Sequence, residues 1–235
     1  MQIQDSVALV TGARRGIGAE WVRQLQERGA RKVYAAVRDG SQEPIPGAEL
    51  LHLDVTDPVG IARAAVQVSD LTLLVNNAGI AAHARLTDGD LTAVRNELEV
   101  NFFGPLNTVR AFAPILGANG GGAIVNVLSA LAWFAYDGAG GYAAAKAAAW
   151  SLTDSVRLEL RSQNTQVSSV MMGAVDTDMS AHYDGPKISP HDLVEIALDG
   201  IEAGRFEILA DDTAKYAKAS LNLDPEQRYA ALPAA

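Results

Sequence analysis

The sequence predicts an α/β chain: a doubly wound, mainly parallel sheet of seven strands with helices on both faces. Three observations carry this. Short apolar runs alternate with helix-length segments from residue 6 to about residue 209. The first run turns into a helix through a glycine cluster, Gly12–Gly18. No repeat, low-complexity segment or charge run marks a second domain, so residues 1–235 read as one unit.

Ser6–Thr11 (SVALVT) is apolar and ends in glycine, as a buried parallel strand does. A helix over Ile17–Arg28 follows, with Gly29 placed to end it. Lys32–Val37, Glu49–Leu53 and Leu71–Val75 are the next strands, and Pro58 opens a helix running to Val68 between the last two. A long helix is expected over Asp90–Leu116, with Pro105 and Pro114 as points of kinking or early ending. Ala123–Leu128, Gln166–Met171 and Arg205–Leu209 complete the strands, and Gly141–Arg161 forms a helix. The polar stretch Asp176–Pro190 is long for a loop, a length usually tied to function, and reads as a substrate lid. Residues 211–235 read as a C-terminal tail.

Composition narrows the function. The chain has 235 residues, 49% hydrophobic and 20% charged, as in an ordinary soluble globule. Its net charge of −9 disfavours nucleic acid as a partner. Cysteine is absent, which excludes disulfides and thiolate chemistry. No apolar stretch of about 20 residues offers a membrane span, and no basic-then-apolar leader opens the chain, so a cytoplasmic location is expected. His52, His83, His182 and His191 lack metal-ligand spacing and read as surface or loop residues, with no metal site expected.

The glycine turn reads Thr11-Gly12-Ala13-Arg14-Arg15-Gly16-Ile17-Gly18. Glycines there let backbone approach a pyrophosphate, and the helix N-terminus supplies free N–H groups. Further along come Asp54-Val55, Asn76-Asn77-Ala78-Gly79, Asn101, Ser129 and Tyr142-Ala143-Ala144-Ala145-Lys146, in that order. Together these resemble the short-chain dehydrogenase/reductase family over about residues 5–210. The resemblance implies a Rossmann-type fold. It implies that Asp54 and Val55 contact adenine and that Asn77, Ala78 and Gly79 shape the cofactor site. It also implies that Asn101 holds a water linking Lys146 to solvent. The family's usual Pro-Gly after the sixth strand is replaced by Met172-Gly173, which is expected to loosen the turn; Val175 and Thr177 remain to meet the nicotinamide amide and pyrophosphate.

At the end of the second strand, Val37 stands where NAD binders of this type carry an acid, and Arg38 follows. Arg38 and Arg15 can pair with a 2′-phosphate, which points to NADP(H). Asp39 could instead pair with Arg38 or bind a ribose.

Tyr142 and Lys146, four apart on a helix, share one face. An ammonium about 4–5 Å from the phenol, at an effective dielectric near 20, is expected to lower its pKa by about two to three. Tyr142 then exchanges the proton with a carbonyl or alcohol, Ser129 holds the substrate oxygen, and the resemblance has Lys146 hold the nicotinamide ribose. Tyr136 has Gly140 four residues on, so it lines the substrate pocket with Trp133 and Phe134 or packs nearby; His182 and Tyr183 lie in the lid. A carbonyl reductase or alcohol dehydrogenase acting on a small molecule is the leading reading. A 3-oxoacyl-thioester reductase and a redox-inactive NADP-binding sensor stand beside it. The alanine-rich helix 141–161 also carries Trp150, Leu152, Val156, Leu158 and Leu160, more apolar surface than one inward stripe accommodates, so a homodimer or homotetramer is expected.

Overall fold

The computed structural model describes residues 1–38 and 43–230. Seven parallel strands form one sheet: β1 Val7–Thr11, β2 Lys32–Val37, β3 Glu49–His52, β4 Leu73–Asn76, β5 Gly122–Val127, β6 Thr165–Met171 and β7 Glu207–Leu209. Their spatial order is β3-β2-β1-β4-β5-β6-β7. From β1 the chain winds outward to β3, then returns to lay β4 on the other side of β1. That reversal opens a crevice at the carboxyl ends of β1 and β4, where ligands bind in such sheets.

Every residue of β1 is buried, and its side chains alternate between two cores. Ala8 and Val10 join Trp21, Leu25, Val33, Leu193 and Leu198 under α1 (Gly16–Glu27) and α6 (Pro190–Glu202). Val7 and Leu9 face Ile61, Phe112, Leu116 and Val156 under α2 (Pro58–Gln67), α4 (Gly104–Ala118) and α5 (Gly140–Glu159). The second core also holds a buried polar chain. Thr108 Oγ1 donates to Asn76 Oδ1 at 2.7 Å, Asn76 Nδ2 to Asn126 Oδ1 at 2.8 Å, and Asn126 Nδ2 to Thr153 Oγ1 at 2.8 Å. It ties α4, β4, β5 and α5 together with its donors satisfied, as buried polar groups require.

Four helices, α2, α3 (Leu91–Leu98), α6 and α7 (Asp212–Ala219), start at side-chain caps. Asp57 accepts from Val59 N–H ahead of Pro58, and Ser189 accepts from Asp192 N–H ahead of Pro190. The helix expected over Asp90–Leu116 is three pieces: α3 Leu91–Leu98, a π-turn Glu99–Phe103, and α4. Neither proline breaks it, because Pro105 sits in the first turn of α4, where its missing N–H costs nothing, and Pro114 lies within the helix. The change of register belongs to the π-turn. The segment read as a tail contains α7 (Asp212–Ala219) and α8 (Pro225–Ala230). The stretch read as a lid is closed at its base: Asp176 N–H donates to Ile188 O at 2.9 Å and Ile188 N–H to Ala174 O at 3.0 Å. A single 3₁₀ turn, Asp178–Ser180, stands inside it. Among the described residues, no helix is long and apolar enough to cross a membrane.

Candidate active site

A cleft of about 880 Å³ lies at the crevice. Of the residues assigned to the cofactor from sequence, Gly12, Arg14, Arg15, Gly16, Ile17, Gly18, Arg38, Asp54, Val55, Asn77, Ala78, Gly79 and Thr177 line it. Val37, Ile80, His83, Met179 and His182 line it too, without having been assigned. Val175 is 6% exposed and packs into the core. Asp39 lies outside the described residues.

The glycine turn is built for close approach. Gly12 and Gly16 have φ of +66° and +54°, conformations other residues rarely adopt. A Cβ on Gly18 would lie 2.1 Å from the Gly12 carbonyl. Thr11 Oγ1 accepts the N–H groups of Asn77 and Ala78, each at 3.0 Å, and Asn77 Nδ2 donates to Thr11 O at 3.0 Å. The ends of β1 and β4 are therefore locked to each other beneath the cleft. The amides of the first turn of α1 receive no side-chain cap. Asp54 folds back on Thr56, accepting its N–H at 2.8 Å. This cradle, with its uncapped amides and with arginines along its rim, fits the diphosphate and ribose of a dinucleotide.

Ser129, Tyr142 and Lys146 lie together beside the cleft, behind its Gly79 wall, and none of the three lines it. Ser129 follows β5 and is 7% exposed; its Oγ accepts Leu131 N–H at 3.1 Å and acts on the Tyr142 hydroxyl. Lys146 is buried; its Nζ donates to Val127 O at 3.0 Å and lies 5.5 Å from the Tyr142 ring centroid. A Cβ on Gly79 would come within 3.7 Å of that ammonium, so the wall after β4 touches the same point. Asn101 sits in the π-turn, buried, with Oδ1 accepting Ile80 N–H at 3.2 Å and Nδ2 donating to Ile80 O at 2.9 Å.

The short chain dehydrogenase family model matches residues 6–186. The chain belongs to that oxidoreductase family. It is 32% identical over 224 residues to the 3-alpha-(or 20-beta)-hydroxysteroid dehydrogenase of Mycobacterium tuberculosis, covering 89% of this chain and 84% of the relative. It is 35% identical over 189 residues to the cis-4-hydroxycyclohexanecarboxylate dehydrogenase of Sinomonas cyclohexanicum, covering 75% and 76%. A crystal structure of a short chain dehydrogenase from Burkholderia cenocepacia in complex with NADP superposes with a TM-score of 0.94 at 41% identity, over 100% of both chains.

The charge balance of this short-chain dehydrogenase differs from the sequence expectation. Burial pushes the Tyr142 phenol up to about 12; the Ser129 hydrogen bond opposes the rise, while Tyr136 and Glu97 add to it. Burial also brings Lys146 down to about 8. The expected lowering of the tyrosine by its lysine is therefore absent, because both groups are desolvated and desolvation disfavours both charges.

The rim departs from expectation as well. Arg15 Nη1 pairs with Asp178 of the 3₁₀ turn at 2.9 Å, in the open, while Arg14 Nη1 donates to Glu43 O at 2.7 Å. Trp133 is 5% exposed and stacks edge-on with Trp150 at 6.0 Å, so it packs rather than lining the cleft. Phe134 packs beside it, and Tyr136 is 45% exposed. His83 and His182, read as scattered, face each other across the cleft mouth with ring centroids 4.5 Å apart. The turn after β6 begins with Met172. Its carbonyl accepts Ala130 N–H at 2.8 Å, and Asp211 accepts Gly173 N–H at 2.7 Å. Asp211 went unnoticed in the sequence although it also caps α7, a role its place before a short helix signals.

Proposed function

We propose that the protein is an NADP(H)-dependent carbonyl reductase or alcohol dehydrogenase for a small molecule. The grouping of Ser129, Tyr142 and Lys146 behind the Gly79 wall of a dinucleotide-sized cleft carries the reading. The glycine turn holds the diphosphate, and Arg38, exposed on the cleft rim, holds the 2′-phosphate. When bound, the nicotinamide supplies or accepts the hydride. Ser129 hydrogen-bonds the substrate oxygen, and Tyr142 gives it a proton in reduction or removes one in oxidation. A phenol held near 12 keeps its proton at neutral pH, so the resting site is set for reduction. Lys146 and Asn101 order the wall formed by Val127 and Ile80. Tyr142→Phe is expected to fold, bind NADPH by fluorescence titration, and lose turnover by about 10²–10⁴. Full turnover in that variant overturns the reading.

The protein also acts as a homo-oligomer in this reading. Leu158 on α5 is 63% exposed and Phe103, at the end of the π-turn, 40% exposed. Val156, Leu152 and Leu160 pack against the sheet, so the surplus apolar face is narrower than the sequence implies. Light scattering at micromolar concentration is expected to give two or four times 24.7 kDa; the monomer mass refutes it.

A further inference from the structure

Segment 177–182 crosses the cleft from one wall to the other, and Thr177, Asp178, Met179 and His182 all line it. At one wall Thr177 rests on the glycine turn: a Cβ on Gly16 would lie 3.3 Å from Thr177 Cγ2. Beside it Asp178 pairs with Arg15 at 2.9 Å. At the opposite wall, after β4, the His182 ring meets the His83 ring edge-on with centroids 4.5 Å apart. The segment is thus fastened on both sides of an opening whose lining it shares.

The wall after β4 presents its histidine from a strained backbone. His83 has a φ of +55°, a left-handed conformation that costs free energy and persists where the surrounding structure imposes it. Its neighbours are fixed. Asn101 holds both the N–H and the carbonyl of Ile80, buried Glu97 accepts Ala82 N–H at 2.7 Å, and Ala84 is buried. Both imidazoles are exposed, so packing of the core does not require them to meet. What their contact adds is a connection across the cleft.

We infer that His83 and His182 form a latch which, together with Arg15 and Asp178, holds segment 177–182 across the cleft, so that the segment has to swing before a dinucleotide enters. This rests on the cleft being the dinucleotide site. The two fastenings differ in what releases them. A phosphate at the glycine turn offers Arg15 a charge-assisted partner in place of Asp178. The ring pair is an aromatic contact, indifferent to phosphate, and opens by loop motion alone. Entry then depends on the fraction of molecules in which the rings have parted.

Stopped-flow mixing with NADPH, followed by nucleotide fluorescence, tests this. His182→Ala should raise the association rate constant by about 2- to 10-fold. His83→Asn removes the ring but keeps a residue that tolerates the left-handed backbone, and should raise it likewise. The two changes together should raise it no further than either alone, as for groups acting through one contact. Asp178→Asn frees the other side, and its effect should multiply with theirs. In the protein without nucleotide, amide hydrogen exchange over residues 177–183 should quicken in the same histidine variants. That measurement does not depend on the cofactor: a wild type that fails to bind NADPH removes the dinucleotide reading, and exchange then decides the latch. Association unchanged or slowed in both histidine variants, or exchange unmoved in both, overturns the inference. Faster dissociation at an unchanged association rate overturns it too, and makes His182 a contact to the bound nucleotide.

Discussion

The floor and the rim of the cleft are built from opposite materials. The floor is buried and satisfied: Thr11 and Asn77 lock β1 to β4, and the chain from Thr108 through Asn76 and Asn126 to Thr153 runs beneath. The rim is exposed charge. Arg15 and Asp178 pair at 2.9 Å with each side chain 79% exposed, and Arg38 stands in the open at the end of β2. Buried hydrogen bonds are costly to break, because the partner left behind is stranded away from water. Exposed ion pairs contribute little and can re-form with a ligand. The floor therefore holds geometry, and the rim is free to trade one partner for another.

The largest expected effect lies where the floor carries charge. Lys146→Met should cost about 10²–10⁴ in turnover. It should also change the pH dependence of stability. Lys146 falls from 10.5 to about 8 on burial, so the unfolded chain binds more protons across that window and stability rises with pH from about 8 to 10.5. Urea midpoints of the wild type should show that rise and those of the variant should lack it; parallel curves would show that the ammonium is not desolvated. On the rim, Arg38→Ala should raise the KM for NADPH by about 10- to 150-fold, change that for NADH little, and leave the thermal midpoint alone. A wild-type preference for NADH would remove the phosphate from the picture.

Thr153→Val tests the floor without touching the cleft. It strands Asn126 Nδ2 in the core and should cost about 1–3 kcal/mol by urea unfolding, with KM values kept. The smallest effect belongs to Asp178→Asn. Removing an exposed pair should cost less than about 1 kcal/mol. It should lower the KM for NADPH by a few-fold at most, as Arg15 gains freedom to meet phosphate. A large loss of stability there would erase the distinction between floor and rim.

How much of this was readable beforehand follows the same division. Residues whose roles come from local pattern were legible: the glycine turn, the strand Lys32–Val37, and Tyr142 with Lys146 on one helix face. Features set by tertiary packing were not. Burial of both phenol and ammonium reverses a charge argument that is sound for an isolated helix. Glu97 sits in a polar-looking stretch, Asn-Glu-Leu-Glu, where nothing in the sequence announces burial. α6 is a different case, since Ser189-Pro190 followed by Asp192 and an amphipathic run is a helix start that could have been read.

The π-turn Glu99–Phe103 has a consequence for how this chain can vary in length. Each residue of a helix turns the chain by about 100°. Asn101 must point at Ile80, while Thr108, seven positions later, must point at Asn76. An uninterrupted helix from Leu91 to Ala118, one residue shorter, would satisfy one of these directions and swing the other aside. The extra residue is thus a phase adjustment between two faces, and single-residue deletions here should be rejected even though neighbouring substitutions are accepted.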